Sequence, residues 1–167
     1  MIVGALGRGP FPRAVHAPAG RRSGGPAGTA RGGGAQVSED RPPEGGVYEW
    51  YQRGLRLLDD GHPQAAATLL VRAAEAEPQS RSILEALARA QYDAGRYDDA
   101  VQSFTTLTAM NPTDDYAQFG LGLAASRAGD LALAAEHLAL AVAMRPDLGH
   151  YARALRGVRA RQAAGSA

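Results

Sequence analysis

Histidine, aspartate and glutamate are the side chains of this sequence suited to binding a metal ion or moving a proton, since it contains no cysteine. The histidines lack the i, i+4 spacing that would put two metal ligands on one helix face; they are His16, His62, His137 and His150. We interpret His62 as a turn residue and His137 as a solvent-facing helix residue. The pattern therefore predicts no metal site.

Adjacent acids occur at the ends of the predicted helices, as Asp59–Asp60, Asp98–Asp99 and Asp114–Asp115. Carboxylates at such ends accept hydrogen bonds from unpaired amides or face solvent. We interpret these pairs as caps and solvated helix ends, in preference to a general acid and base.

The segment Gly120-Leu-Gly122-Leu-Ala-Ala125 matches the GxGxxA pattern of dinucleotide-binding loops. That pattern binds a pyrophosphate where a strand enters a helix, and no strand is predicted before Gly120. Neither a Ser–His–Asp set nor a phosphate-binding loop is visible. The sequence therefore predicts a protein that is not an enzyme and has no cofactor.

The composition limits partners and compartment. No apolar run approaches the roughly 20 residues that span a bilayer, and the absence of cysteine suits a reducing compartment, so we expect a cytoplasmic protein without a membrane partner. All 18 basic residues are arginines, which is typical of a GC-rich bacterial genome.

The first 46 residues are predicted to be a disordered tail, because they contain few large apolar side chains and no helical period. Residues 1–36 hold five arginines and no acid, whereas residues 37–167 hold 13 arginines and 17 acids, so the folded part is acidic and nucleic-acid binding is not expected there. An RGG-like nucleic-acid tail is the alternative for the first segment, although aromatic residues for base stacking are lacking between Phe11 and Tyr48. A further alternative is that translation starts at Val37, so that residues 1–36 are not made in the native protein. Removing residues 1–36 is expected to leave the helix content and melting temperature nearly unchanged.

A 34-residue period organises the remainder of the chain. It relates three sets of residues: Gly61, Gly95 and Gly129; Ala66, Ala100 and Ala134; and Pro78, Pro112 and Pro146. Between these markers, apolar residues recur at helical spacing. The period predicts units over residues 47–80, 81–114 and 115–148, with helices at 48–60, 63–76, 82–94, 97–110, 115–128, 131–144 and 148–162, and a frayed end at 163–167. Asp114 and Asp130 are predicted N-caps.

This period and its residues resemble the tetratricopeptide repeat family. The family's small residue at position 8 corresponds to Gly54, Ala88 and Gly122, and its large residue at position 24 to Leu70, Phe104 and Leu138. Small residues let the two helices of a unit approach, and the large residue fills the gap between units. The resemblance implies an all-α, right-handed α-solenoid of three repeats with a capping helix over about residues 148–162.

The resemblance also implies that the first helix of each repeat lines a concave groove that binds peptides. Its residues would be Tyr48, Tyr51, Leu55, Glu85, Arg89, Tyr92, Tyr116, Phe119, Leu123, Arg127, His150 and Arg153. The basic and amide residues with which chaperone-binding members hold a terminal carboxylate are absent, since Tyr51 and Leu55 occupy two of those positions. We therefore expect a partner other than a chaperone tail.

The leading hypothesis is a protein-interaction module. Tyr51, Tyr92 and Phe119 are expected to supply apolar contacts, and the arginines Arg89, Arg127 and Arg153 to select acidic segments. The alternative is a homo-oligomer assembled through the exposed ends of the solenoid. A small enzyme is the third hypothesis.

Overall fold

The computed structural model of this protein describes Phe11 and residues 46–165. Those residues contain seven α-helices: α1 (Val47–Asp59), α2 (Pro63–Ala76), α3 (Arg81–Asp93), α4 (Tyr97–Met110), α5 (Asp115–Ala128), α6 (Leu131–Met144) and α7 (Gly149–Gly165). The predicted α-solenoid of three helix–turn–helix repeats and a final helix is confirmed. We call α1, α3, α5 and α7 the A helices, and α2, α4 and α6 the B helices.

The first six helices begin and end within one residue of the predicted bounds. The last differs, because α7 continues to Gly165 and so includes part of the segment predicted to be frayed. The tail predicted over residues 1–46 lies outside the described residues, apart from Phe11 and Gly46. None of the described helices is long and apolar enough to cross a bilayer.

The turns inside the three repeats are built alike. Gly61, Gly95 and Gly129 have φ angles of +80°, +77° and +99°, in the left-handed region that side chains disfavour. Asp114 caps α5 by accepting from the Ala117 amide at 3.2 Å, and Asp130 caps α6 by accepting from the Leu133 amide at 2.9 Å. Both predicted caps are confirmed, and the glycine period marks the turns.

The A helices form the inner side of the array. Consecutive A helices contact each other along the whole series, whereas the three B helices, among the described residues, do not contact one another. Each B helix instead packs between the A helix of its own repeat and the next A helix. The surface lined by the A helices is therefore the concave one.

Glycines bring the helices into close contact at the predicted small positions. A Cβ on Gly54 would lie 2.6 Å from Leu70 Cγ, and one on Gly122 would lie 2.6 Å from Leu138 Cγ. Between the second and third repeats, a Cβ on Gly120 would lie only 2.3 Å from the ring of Phe104. The large residue at position 24 thus packs directly on helix backbone, which explains why its neighbours are glycines.

Two glutamines are buried inside the repeats, Gln91 on α3 and Gln118 on α5. Gln118 donates to the Pro112 carbonyl at 3.0 Å and its Oε1 pairs with His137 Nδ1 at 2.6 Å, while Gln91 accepts from Ser103 at 2.7 Å. The solvent-facing prediction for His137 is wrong, since its ring is half-buried and burial lowers its pKa. These bonds join an A helix to its B helix in place of apolar contact.

Helix α7 covers the end of the third repeat. Its buried residues Tyr151, Leu155 and Val158 join the main core. The Tyr151 hydroxyl donates to Asp115 at 2.8 Å, and Arg161 donates to the Ser126 carbonyl at 3.0 Å. The predicted capping position is consistent with these contacts to α5.

Candidate functional site

The twelve side chains predicted to line the groove all lie on A helices, and the structure describes each of them. They differ in exposure along the array. In the first repeat Tyr48 is 67% exposed, whereas Tyr51 and Leu55 are half-buried and pack towards the core of that repeat. Burial raises the pKa of Tyr51, with a smaller contribution from the Glu85 carboxylate.

The middle of the groove holds charged groups that are partly removed from water. The Arg89 side chain is 15% exposed, and its Nε lies 3.7 Å from Asp93 Oδ2. That Nε is buried and has no hydrogen-bond partner among the described residues. Burial raises the pKa of Glu85 and of Asp93. Arg81 is the main charge that offsets this effect at Glu85, and Arg89 offsets it at Asp93. Arg89 was predicted to be an exposed selector of acidic ligands, but the structure makes it a mostly buried donor.

Four aromatic side chains meet where the second and third repeats join. We call them the aromatic socket, and they are Tyr92 of α3, Phe104 of α4, and Tyr116 and Phe119 of α5. Burial raises the pKa of Tyr116 far above its ordinary value, as expected for a phenol in an apolar site. The repeat pattern predicted that Phe104 fills the gap between units, and its ring also forms part of this socket.

The remaining groove residues lie on α5 and α7. Arg127 is exposed and close enough to the Tyr92 hydroxyl to offset part of the pKa increase that burial causes there. Arg153 is exposed on α7. His150 packs edge-on against Phe119, with ring centroids 5.3 Å apart, and Leu123 packs against the core beneath. The exposed cations are thus Arg127 and Arg153, and the apolar surface is the socket.

Phe11 is the residue that sequence analysis missed. Its ring is 6% exposed and contacts the aromatic socket, although the segment around it was predicted to bury nothing. One aromatic ring can bury a large apolar area whatever the composition of its neighbours, so the mean composition of a tail does not exclude a single anchor. Removing residues 1–36 is therefore no longer expected to be neutral. A lone phenylalanine between two prolines, Pro10 and Pro12, was the available signal.

Comparison with known proteins gives a family match over most of the described helices. The sequence profile of the tetratricopeptide repeat matches residues 51–105 and 85–149. Superkiller complex protein 3 of Mus musculus is 31% identical over 112 residues, which is 66% of this chain and 7% of that protein. The chain thus spans a small part of the length of this relative.

Solved structures with similar helical arrays extend the likeness to the fold. MamA from Desulfovibrio magneticus RS-1 superimposes with a TM-score of 0.67 at 23% identity, over 70% of this chain and 66% of that one. SycD of Yersinia enterocolitica, a type III secretion translocator chaperone, superimposes with a TM-score of 0.61 at 15% identity, over 70% of this chain and 93% of that one. At these identities the likeness concerns the fold alone.

Proposed function

This chain belongs to the tetratricopeptide repeat family, and from that membership we propose that it is a non-enzymatic module whose concave groove binds a segment of a partner protein. The observation that carries the proposal is the aromatic socket, with Phe11 buried in it and the exposed Arg127 next to its Tyr92. Aromatic rings and arginines are the side chains that contribute most to protein interfaces. SycD, described as a chaperone, has the same fold and gives the proposal a precedent.

Recognition in this groove depends on side chains. The groove is built from helices, so a bound segment has no unpaired strand edge to extend. The socket would hold an apolar side chain, and Arg127 and Arg153 would donate charge-assisted hydrogen bonds to carboxylates of the same segment. The ligand expected from this chemistry is a peptide segment with an apolar anchor and acidic neighbours.

The test is a double charge reversal, Arg127→Glu with Arg153→Glu. Hydrogen bonds to charged groups contribute about 1.5–3 kcal/mol each, so losing both should weaken partner binding at least tenfold by the ratio of about 1.4 kcal/mol per decade. Both side chains are exposed, so the melting temperature should change little. Wild type and variant serve as baits in a native lysate, and the recovered partner is then titrated against each purified protein.

The matched control places the same charge change outside the groove, as Arg156→Glu with Arg159→Glu. Arg156 falls 34 residues after Gly122, at the position that faces the B helix of a repeat, and α7 has no B helix after it among the described residues. The control should bind the partner like wild type. If the folded groove variant binds the partner fully and the control does not, the partner-binding surface lies at the end of the array and not in the groove.

Self-association is the second candidate. SycD is described in an alternative dimer, and Met110 and Leu140 of the B helices are each 40% exposed here. The exposed residues of the first helix, α1, are mainly charged, including Glu49, Arg53 and Arg56, whereas those of α7 combine arginines with glycine and alanine. Sedimentation equilibrium distinguishes the two candidates. Self-association predicts a mass above that of the 17.4 kDa monomer, whereas groove binding does not require one.

A further inference from the structure

Phe11 occupies the aromatic socket as a bound side chain would. Its ring centroid lies 5.0 Å from Tyr92, 5.6 Å from Tyr116, 5.7 Å from Phe104 and 6.4 Å from Phe119. The rings of Tyr92 and Phe119 stand nearly perpendicular to it, at 87° and 77°, while Phe104 is stacked at 25°. Edge-to-face and stacked contacts are the favoured geometries of aromatic pairs. The socket therefore surrounds a phenylalanine ring on several sides.

The four rings of the socket all belong to the repeats. Its four rings come from three successive helices, and Gly120 allows the Phe104 ring to lie against the α5 backbone. Three of the four rings, those of Tyr92, Tyr116 and Phe119, belong to A helices that line the groove. The rings that contact Phe11 are therefore largely part of the groove itself.

Two features favour a ligand that binds beside the socket with an extended backbone. The Arg89 Nε in the same groove is a buried donor without a hydrogen-bond partner among the described residues. A main-chain carbonyl of a bound segment would satisfy such a donor. In the sequence, Phe11 stands between Pro10 and Pro12, and proline-flanked segments are held extended at a low entropic cost of binding.

We propose that the aromatic socket is a receptor for a phenylalanine flanked by prolines in a partner protein, and that the chain's own Phe11 segment competes for it. This proposal rests on the proposed function, because it names the ligand of the same groove. The chain's own segment carries Arg8 and Arg13 and lacks the carboxylates that Arg127 and Arg153 favour. A partner segment with acids near its phenylalanine has the better charge match and would displace it.

The experiment titrates a fluorescent peptide of residues 5–17 against the full chain, by anisotropy. Full-length Phe11→Ala should bind the peptide saturably, and wild type should bind it at least tenfold more weakly, because a site open in about a tenth of molecules lowers the apparent affinity by that factor. A peptide with alanine in place of its phenylalanine should not bind. Circular dichroism of each protein confirms that it is folded.

Two further variants locate the bound peptide. In the Phe11→Ala chain, Tyr116→Ala removes a ring of the socket and should weaken peptide binding, whereas Leu140→Ala removes an exposed apolar side chain of a B helix outside the groove and should not. Equal binding of the phenylalanine and alanine peptides, or equal binding by wild type and Phe11→Ala, would overturn the proposal. So would absence of binding to folded Phe11→Ala. If the Arg127→Glu, Arg153→Glu variant still loses its lysate partner in that case, the proposed function stands and this inference alone fails.

Discussion

Replacing Phe104 by alanine is expected to lower the free energy of unfolding by about 3–5 kcal/mol. The side chain is fully buried, its ring lies against Gly120 of the next repeat, and it packs against Tyr116 and Phe11. The neighbouring helices are not free to close the cavity, because α5 is also packed against α6 and α7. Small domains have about 5–15 kcal/mol in total, so the variant should be near unfolding. Urea denaturation followed by circular dichroism measures the change.

Leu140→Ala is the matched control for this loss of apolar volume. Leu140 is 40% exposed on α6, the corresponding B helix of the third repeat, so its removal leaves no cavity and should cost much less. Equal midpoints for Phe104→Ala and wild type would mean that Phe104 does not join the second repeat to the third.

Gly120→Ala tests the same contact from the opposite side and is the second large effect expected. The new methyl group would lie 2.3 Å from Cε1 and 2.4 Å from Cζ of Phe104, closer than non-bonded carbons approach. The buried ring has little room to move, and overpacking of this kind costs about 1–3 kcal/mol. This cost outweighs the gain of about 0.8–1.0 kcal/mol that alanine brings to a helix, so the variant should be less stable than wild type.

Gly157→Ala supplies the control for helix propensity alone. Gly157 also lies inside a helix, α7, but a Cβ there would meet no other atom within 4 Å. The same substitution should therefore stabilise the protein by up to about 1 kcal/mol. Thermal melts of the two variants should shift in opposite directions, and a stabilising Gly120→Ala would show that Phe104 is not packed on α5.

The fold could be predicted from the sequence because, in a repeat array, residues with the same packing role recur at a fixed spacing. Each unit makes the same contacts with its neighbours, so the glycine turns, the small position 8 and the large position 24 recur every 34 residues. Gly54 with Leu70 and Gly122 with Leu138 show the same contact in two different repeats. Agreement between three units fixes helix bounds that a single unit would leave open.

A contact that occurs in one repeat only produces no periodic pattern in the sequence. The pairing of Gln118 with His137 is confined to the third repeat, and the docking of Phe11 involves a segment outside the period. Arg89 was placed on the inner face by its register, but the register did not predict that its side chain is only 15% exposed. The repeat register therefore predicts which helix face a residue occupies, whereas predicting its exposure also requires the positions of the neighbouring helices.

The central claim is that the partner binds on the A-helix side. Hydroxyl-radical footprinting of the full chain, alone and with the partner recovered from lysate, reports this as side-chain protection. We expect Tyr48, Tyr51 and His150 on the groove side to be oxidised more slowly in the complex, while Met110 and Leu140 of the B helices, each 40% exposed, react at the same rate. Protection of Met110 and Leu140, with unchanged oxidation of the three groove residues, would contradict the account.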